Sequence, residues 1–298
     1  MPTDAVLREL LVRHLETWLP GALHRGRRVT VALAYDGGDA GSAQAALRVV
    51  AEYADRLRGR QLTVLVLATG TEEPPARLGA VEADLPAEAT VHLVPGGPAR
   101  LPVALKAAGA TGGPLLSYVD GSADPAVLTA AAAGRPAEVL LATTPGAPAR
   151  GVLADAGFPL ATEVELVPAD GGPARLLAFA TGSDKSLEAF KEALWAVDEF
   201  AGVRYRDPAD PAGRLLDIAL APEPGPLRRE LLAELARSGP RTVTELRRHA
   251  LTATVYRSAD AVRALTGLLG AGEVTRDPEH GRLGGDVVIA APDARSTP

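Results

Sequence analysis

The chain has 298 residues, 47% hydrophobic and 23% charged, a composition that suits a globular protein with room for one large domain and a small one. It contains no cysteine, which excludes disulfides, thiolate metal sites and cysteine nucleophiles. Its net charge of −6 gives no global attraction to nucleic acid, and no apolar run reaches the length of a membrane span. The first residues lack the apolar segment of a signal peptide, so the expected location is the cytoplasm.

In chain order, Leu7, Leu10, Leu11, Leu15, Trp18 and Leu19 fall at helical spacing. Thr3 or Asp4 can cap this helix, and Pro20-Gly21 is expected to end it. Arg25, Arg27 and Arg28 form a basic connector to Thr30–Tyr35, an apolar β-prone run of the kind buried on both faces of a sheet. Gly37, Gly38 and Gly41 allow a tight turn, and Ser42 is expected to cap a helix reaching about Leu57. Such a loop either turns free backbone N–H groups towards a polar or anionic ligand or is an ordinary strand-to-helix turn.

Four further strands are expected at Leu62–Ala68, Thr90–Val94, Pro114–Asp120 and Ala137–Thr143. The helices between and after them are expected at about Thr71–Leu85, Pro98–Ala108, Asp124–Ala133 and Ala147–Ala156. Five strand–helix units in succession imply a parallel sheet covered by helices on both faces. Thr162–Val167 and Ala174–Thr181 then flank Pro168-Ala169-Asp170-Gly171-Gly172-Pro173, a hairpin connection that makes these two strands antiparallel to each other. Ser183 or Asp184 caps a helix carrying Leu187, Phe190, Leu194 and Val197 on its apolar face.

Parallel units ending in a hairpin resemble the class I methyltransferase fold, a Rossmann-like, mostly parallel sheet. The order of Thr181, Lys191, Ala193, Leu194, Trp195, Asp198 and Tyr205 also resembles the three-Cys-motif partner protein family. So, more weakly, do His14, Leu15, Trp18, Leu19 and Pro20, Gly41-Ser42 with Ala46-Leu47, and Tyr118-Val119-Asp120-Gly121. The resemblance implies a methyltransferase-like domain, an S-adenosylmethionine site at the C-terminal ends of the first strands, and a C-terminal winged helix. Carried onto this chain, it makes Asp36, Gly37, Gly38, Gly41 and Ser42 the cofactor-binding residues and Asp120 the catalytic acid, with no metal.

Departures from the pattern affect the cofactor. The family's acid near the end of the first strand and its Ala-Gly-Pro-Gly turn are replaced by Val31, Ala32 and Leu33 followed by Tyr35-Asp36-Gly37-Gly38. The ribose-binding acid at the end of the second strand is Ala68, followed by Thr69 and Gly70, with Glu72 and Glu73 as later substitutes. Losing a carboxylate acceptor removes much of ribose recognition. Asp120 leaves a central strand at the crevice edge, where it either orients a nucleophile or forms an Asp-Gly turn with Ser122 as a helix cap. The five histidines form no metal-spaced set, and no nucleophile elbow or phosphate loop is present.

Prolines at 208, 211, 222, 224 and 226 mark a linker region, 207–226, after an α/β domain spanning 1–206. Within 227–291, three helices and two strands resemble a winged helix, with Thr242 and Glu245 forming a capping box and Thr254-Val255-Tyr256-Arg257 matching the partner family. Residues 292–298 are expected to be a disordered tail. Residues 225–298 hold 11 arginines and 9 acids, a weak excess for a nucleic-acid reader, although Arg247, Arg248, Arg257 and Arg263 can cluster near the third helix. The leading expectation is a transferase-like enzyme acting on a small molecule with an altered S-adenosylmethionine site. The alternatives are a non-catalytic partner of another protein or of a second copy, and a DNA-associated regulator.

Overall fold

The structure, a computed structural model, describes residues 2–37, 40–69, 85–146, 148–210 and 212–292. Helix α1 (Pro2–Arg25) leads into β1 (Arg28–Tyr35), followed by α2 (Ala40–Glu52), β2 (Gln61–Ala68) and β3 (Ala89–Pro95). Then come α3 (Leu101–Ala107), β4 (Leu115–Asp120), α4 (Pro125–Ala131), β5 (Ala137–Thr143), α5 (Ala149–Asp155), β6 (Leu160–Pro168) and β7 (Arg175–Thr181). Residues 71–84 of the expected Thr71–Leu85 helix, Glu72 and Glu73 among them, lie outside the described residues.

The strands form one sheet in the order β3-β2-β1-β4-β5-β7-β6, extended by β8 (Val203–Arg206) and β9 (Leu215–Leu216). The first five pair in parallel, and every pairing from β7 onward is antiparallel. The hairpin is therefore inserted, with its second strand lying against β5. Side chains alternate between two cores, as the strand period requires. Val31, Leu33 and Tyr35 of β1 pack with α1 and α2, while Ala32 and Ala34 pack with α3 and α4. The result is three layers, with the sheet in the middle.

Helix α1 does not stop at Pro20. It runs on to Arg25 and buries Ala22 and Leu23. A proline leaves the carbonyl four residues back without its helical donor; here the Tyr53 hydroxyl donates to the Glu16 carbonyl at 3.0 Å. Arg60 then donates to the Leu23 and Gly26 carbonyls at the helix end. Ser42 is not a cap either: α2 already begins at Ala40, so Ser42 lies within it and is buried. At the start of α4 the cap is Asp124, accepting from the Ala126 and Val127 amides at 2.7 and 3.4 Å, rather than Ser122.

Helix α6 (Asp184–Trp195), capped by Ser183, precedes β8. The C-terminal part comprises α7 (Gly225–Ser238), β10 (Arg241–Thr242), α8 (Val243–Ala253), α9 (Ser258–Gly270), β11 (Thr275–Asp277) and β12 (Val288–Ala290). Its sheet is antiparallel in the order β10-β12-β11, and α8 starts with the expected Thr242–Glu245 capping box. The interiors of α7, α8 and α9 are continuous with the core beneath the large sheet.

Candidate functional site

The parallel strands diverge in connectivity at β1, which pairs with β2 on one side and β4 on the other. An open α/β sheet places its ligand crevice at this point, beyond the carboxyl ends of the strands. Two of the expected residues meet here: the Asp36 amide donates to the Asp120 carbonyl at 2.8 Å, carrying the β1–β4 pairing one residue past the strand. Gly37 follows with φ of 133°, a conformation that glycine takes without steric cost. Gly41 and Ser42 lie in the first turn of α2, and Gly38 is outside the described residues.

Two glycines that the sequence did not single out shape this corner. A Cβ at Gly97 would stand 3.1 Å from the Tyr35 carbonyl oxygen and 3.5 Å from both Asp36 Oδ1 and Thr69 Cγ2. A Cβ at Gly121 would stand 3.0 Å from Asp36 Cβ and 3.3 Å from Pro98 Cγ. A side chain at Gly121 would therefore crowd Asp36 itself, whereas one at Gly97 would crowd the Tyr35 carbonyl at the end of β1. At the end of β2, Ala68 is buried and offers no carboxylate.

Asp120 ends β4 at the crevice edge, but its Oδ1 accepts a hydrogen bond from Arg175 Nη2. Arg175 opens β7, and its Nη1 lies 3.9 Å from Asp4 Oδ1 on α1. Arg175 Nε is buried without a hydrogen-bond partner among the described residues. The expected acid is therefore where the fold should bring it, already engaged by a guanidinium that the sequence reading missed. An arginine at the mouth of the apolar run Leu176–Ala180 was the available signal.

The residues that carry the partner-family resemblance have other duties. Thr181 donates to Glu138 Oε1 at 3.2 Å, and His14 Nε2 lies 2.8 Å from Glu138 Oε2, all three side chains being buried. Lys191 is fully buried, with Nζ donating towards the carbonyls of Ala250 (3.3 Å), Leu251, Thr254 (2.6 Å) and Tyr256 (2.8 Å). Trp195 Nε1 donates to the Val255 carbonyl at 3.0 Å, and the Tyr205 hydroxyl to the Leu194 carbonyl at 2.8 Å. The Lys-x-Ala-Leu-Trp run of α6 and the Thr254–Tyr256 turn are thus two halves of one seam, joining the C-terminal part to the large sheet. Burial pushes the Lys191 pKa well below its ordinary value, Arg150 adds to the shift, and Glu188, Asp207 and Asp260 oppose it.

Three of the four arginines expected near the third helix are in ion pairs. Arg248 pairs with Asp184, Arg263 with Asp260, and Arg257 with Asp260 and Glu192. No described group of three or more His, Asp or Glu residues could hold a metal ion, and no described helix is long and apolar enough to cross a membrane.

No protein-family model matches the chain, and no curated protein matches it. Among solved structures it is similar to a predicted O-methyltransferase from Agrobacterium tumefaciens, at 16% identity over 52% of this chain and 74% of that one, with a TM-score of 0.30. A likeness at that score carries no argument about the site or its reaction. The resemblance to the three-Cys-motif partner family rests on the quoted residues alone.

Proposed function

We propose that the chain is a divergent methyltransferase-fold protein that binds an adenosyl-bearing ligand at the β1–β4 crevice and acts on a small molecule there. The observation that carries the reading is the strand order β3-β2-β1-β4-β5-β7-β6, with one antiparallel strand inserted between β5 and β6. That is the order of the class I methyltransferase fold, and its ligand crevice is the corner that Asp36, Gly97 and Gly121 shape. We read residues 1–206 as this domain and 227–291 as a winged helix, in line with the order α7, β10, α8, α9, β11, β12.

The residues fit S-adenosylmethionine only in part. Asp36 supplies a carboxylate beyond β1, but Ala68 and Thr69 supply none beyond β2, so ribose recognition lacks its usual acceptor there. Asp120, bound to Arg175, is a positioning group: the pair fixes the start of β7 against the end of β4. Titration calorimetry with S-adenosylmethionine and S-adenosylhomocysteine tests the reading. A Kd below about 100 μM, weakened at least about tenfold by Asp36→Ala, supports it. No heat from either ligand overturns it.

A further inference from the structure

A cavity of about 580 Å³ opens at the opposite end of the parallel strands from the crevice, beside the start of β5 and the end of β7. Its walls come from α1, the turn before β5, the loop holding Phe158, and the first turns of α6. Two buried residues on its wall carry polar atoms without hydrogen-bond partners among the described residues, His14 Nδ1 and Trp18 Nε1. The His14 side chain is held in place. His14 Nε2 is committed to Glu138, whose other oxygen is committed to Thr181, and the ring meets Phe179 and Phe190 edge-on at 4.7 and 5.7 Å.

His14 Nε2 is engaged by Glu138, and Nδ1 has no hydrogen-bond partner among the described residues. An indole N–H can only donate, and native interiors seldom leave one buried without an acceptor. The wall also contains Arg25, Arg135 and Lys185, none of which has a carboxylate partner among the described residues. Arg135 spends Nη1 on the carbonyls of its own turn, Ala132 and Gly134. The lining also includes the apolar side chains of Trp18 and Phe158.

We propose that this cavity is a binding site for an organic anion, an aromatic or aliphatic body bearing a carboxylate or phosphate. The anionic group meets Arg25, Arg135 and Lys185, and the body packs on Trp18 and Phe158. A pocket of this size holds a drug-sized molecule. The site does not rest on the crevice reading, since it shares no residue with it.

The test is titration of the full chain with 1-naphthyl phosphate, with inorganic phosphate and 1-naphthol as halves of the same probe. Binding is expected at a Kd below about 1 mM, with each half at least about tenfold weaker. Arg25→Gln/Lys185→Gln changes two exposed side chains and is expected to weaken the phosphate ester at least about tenfold, whereas Asp36→Ala leaves it unchanged. The chain has two tryptophans, so its proton NMR spectrum has two indole N–H signals. The one absent in Trp18→Phe is expected to shift on binding, and the Trp195 signal is not. Absence of binding at about 10 mM, equal binding by the double variant, equal binding of 1-naphthol, or an unmoved Trp18 signal each overturns the proposal.

Discussion

Helix α6 carries two lysines, and the two have opposite fates. Lys191 is fully buried against four carbonyls, while Lys185, six residues earlier, is exposed at a cavity wall with no carboxylate partner among the described residues. The two tryptophans divide the same way. The Trp195 N–H reaches the Val255 carbonyl, and the Trp18 N–H reaches nothing described. Completeness of partners, rather than burial or residue type, separates the seam that holds the chain together from the cavity that has donors to spare.

The comparison breaks first at Lys191. Lys191→Met strands carbonyls at the end of α8 and is expected to cost about 3 kcal/mol in urea unfolding, against less than about 0.5 kcal/mol for Lys185→Gln. Comparable losses for the two would dissolve the distinction. The same lysine sharpens it through pH. With its folded-state pKa depressed below 10.5, the unfolded chain holds a proton that the folded chain lacks across the window between those values. Stability should therefore rise with pH through that window and level off above it. Unfolding curves measured across the alkaline range should show this rise in the parent and a flatter profile in Lys191→Met.

The tryptophans give a smaller contrast. Trp195→Phe leaves the Val255 carbonyl without its donor, and Trp18→Phe removes no hydrogen bond. The first should be less stable than the second by at least about 1 kcal/mol, read from thermal or urea midpoints. The crevice sits between these extremes. Asp120 and Arg175 are paired but part-exposed, so a double-mutant cycle of Asp120→Asn and Arg175→Met should return a coupling of about 0.5–1 kcal/mol. A coupling near zero would mean that the contact orders nothing.

Local signals made much of the large sheet legible. The apolar runs of β1, β2, β4 and β5 announce strands buried on both faces, and the Asp170-Gly171-Gly172 turn announces the hairpin. The features that sequence reasoning missed depend on partners far along the chain. Pro20 is tolerated because Tyr53, 37 residues beyond Glu16, supplies the missing donor. Val203 and Tyr205 alternate with Arg204 and Arg206 as a strand should, but four residues beyond Gly202 are too short a run to stand out, and β8 is not among the expected strands. Asp36 and Asp120 meet as the fold predicts, yet Arg175 is 55 residues from its acid and left only a faint mark. His14 belongs to no metal-spaced set, and its partner, Glu138, is 124 residues away.

The far side of the large sheet ends in β9, a strand of two residues, after which Pro222, Pro224 and Pro226 carry the chain away. A strand so short offers another chain almost no ladder to extend, and prolines cannot donate to one. Cutting the chain after Arg206 would remove that cover and bare one edge of β8 as a template for strand addition, so the shortest pairing in the sheet also guards against aggregation.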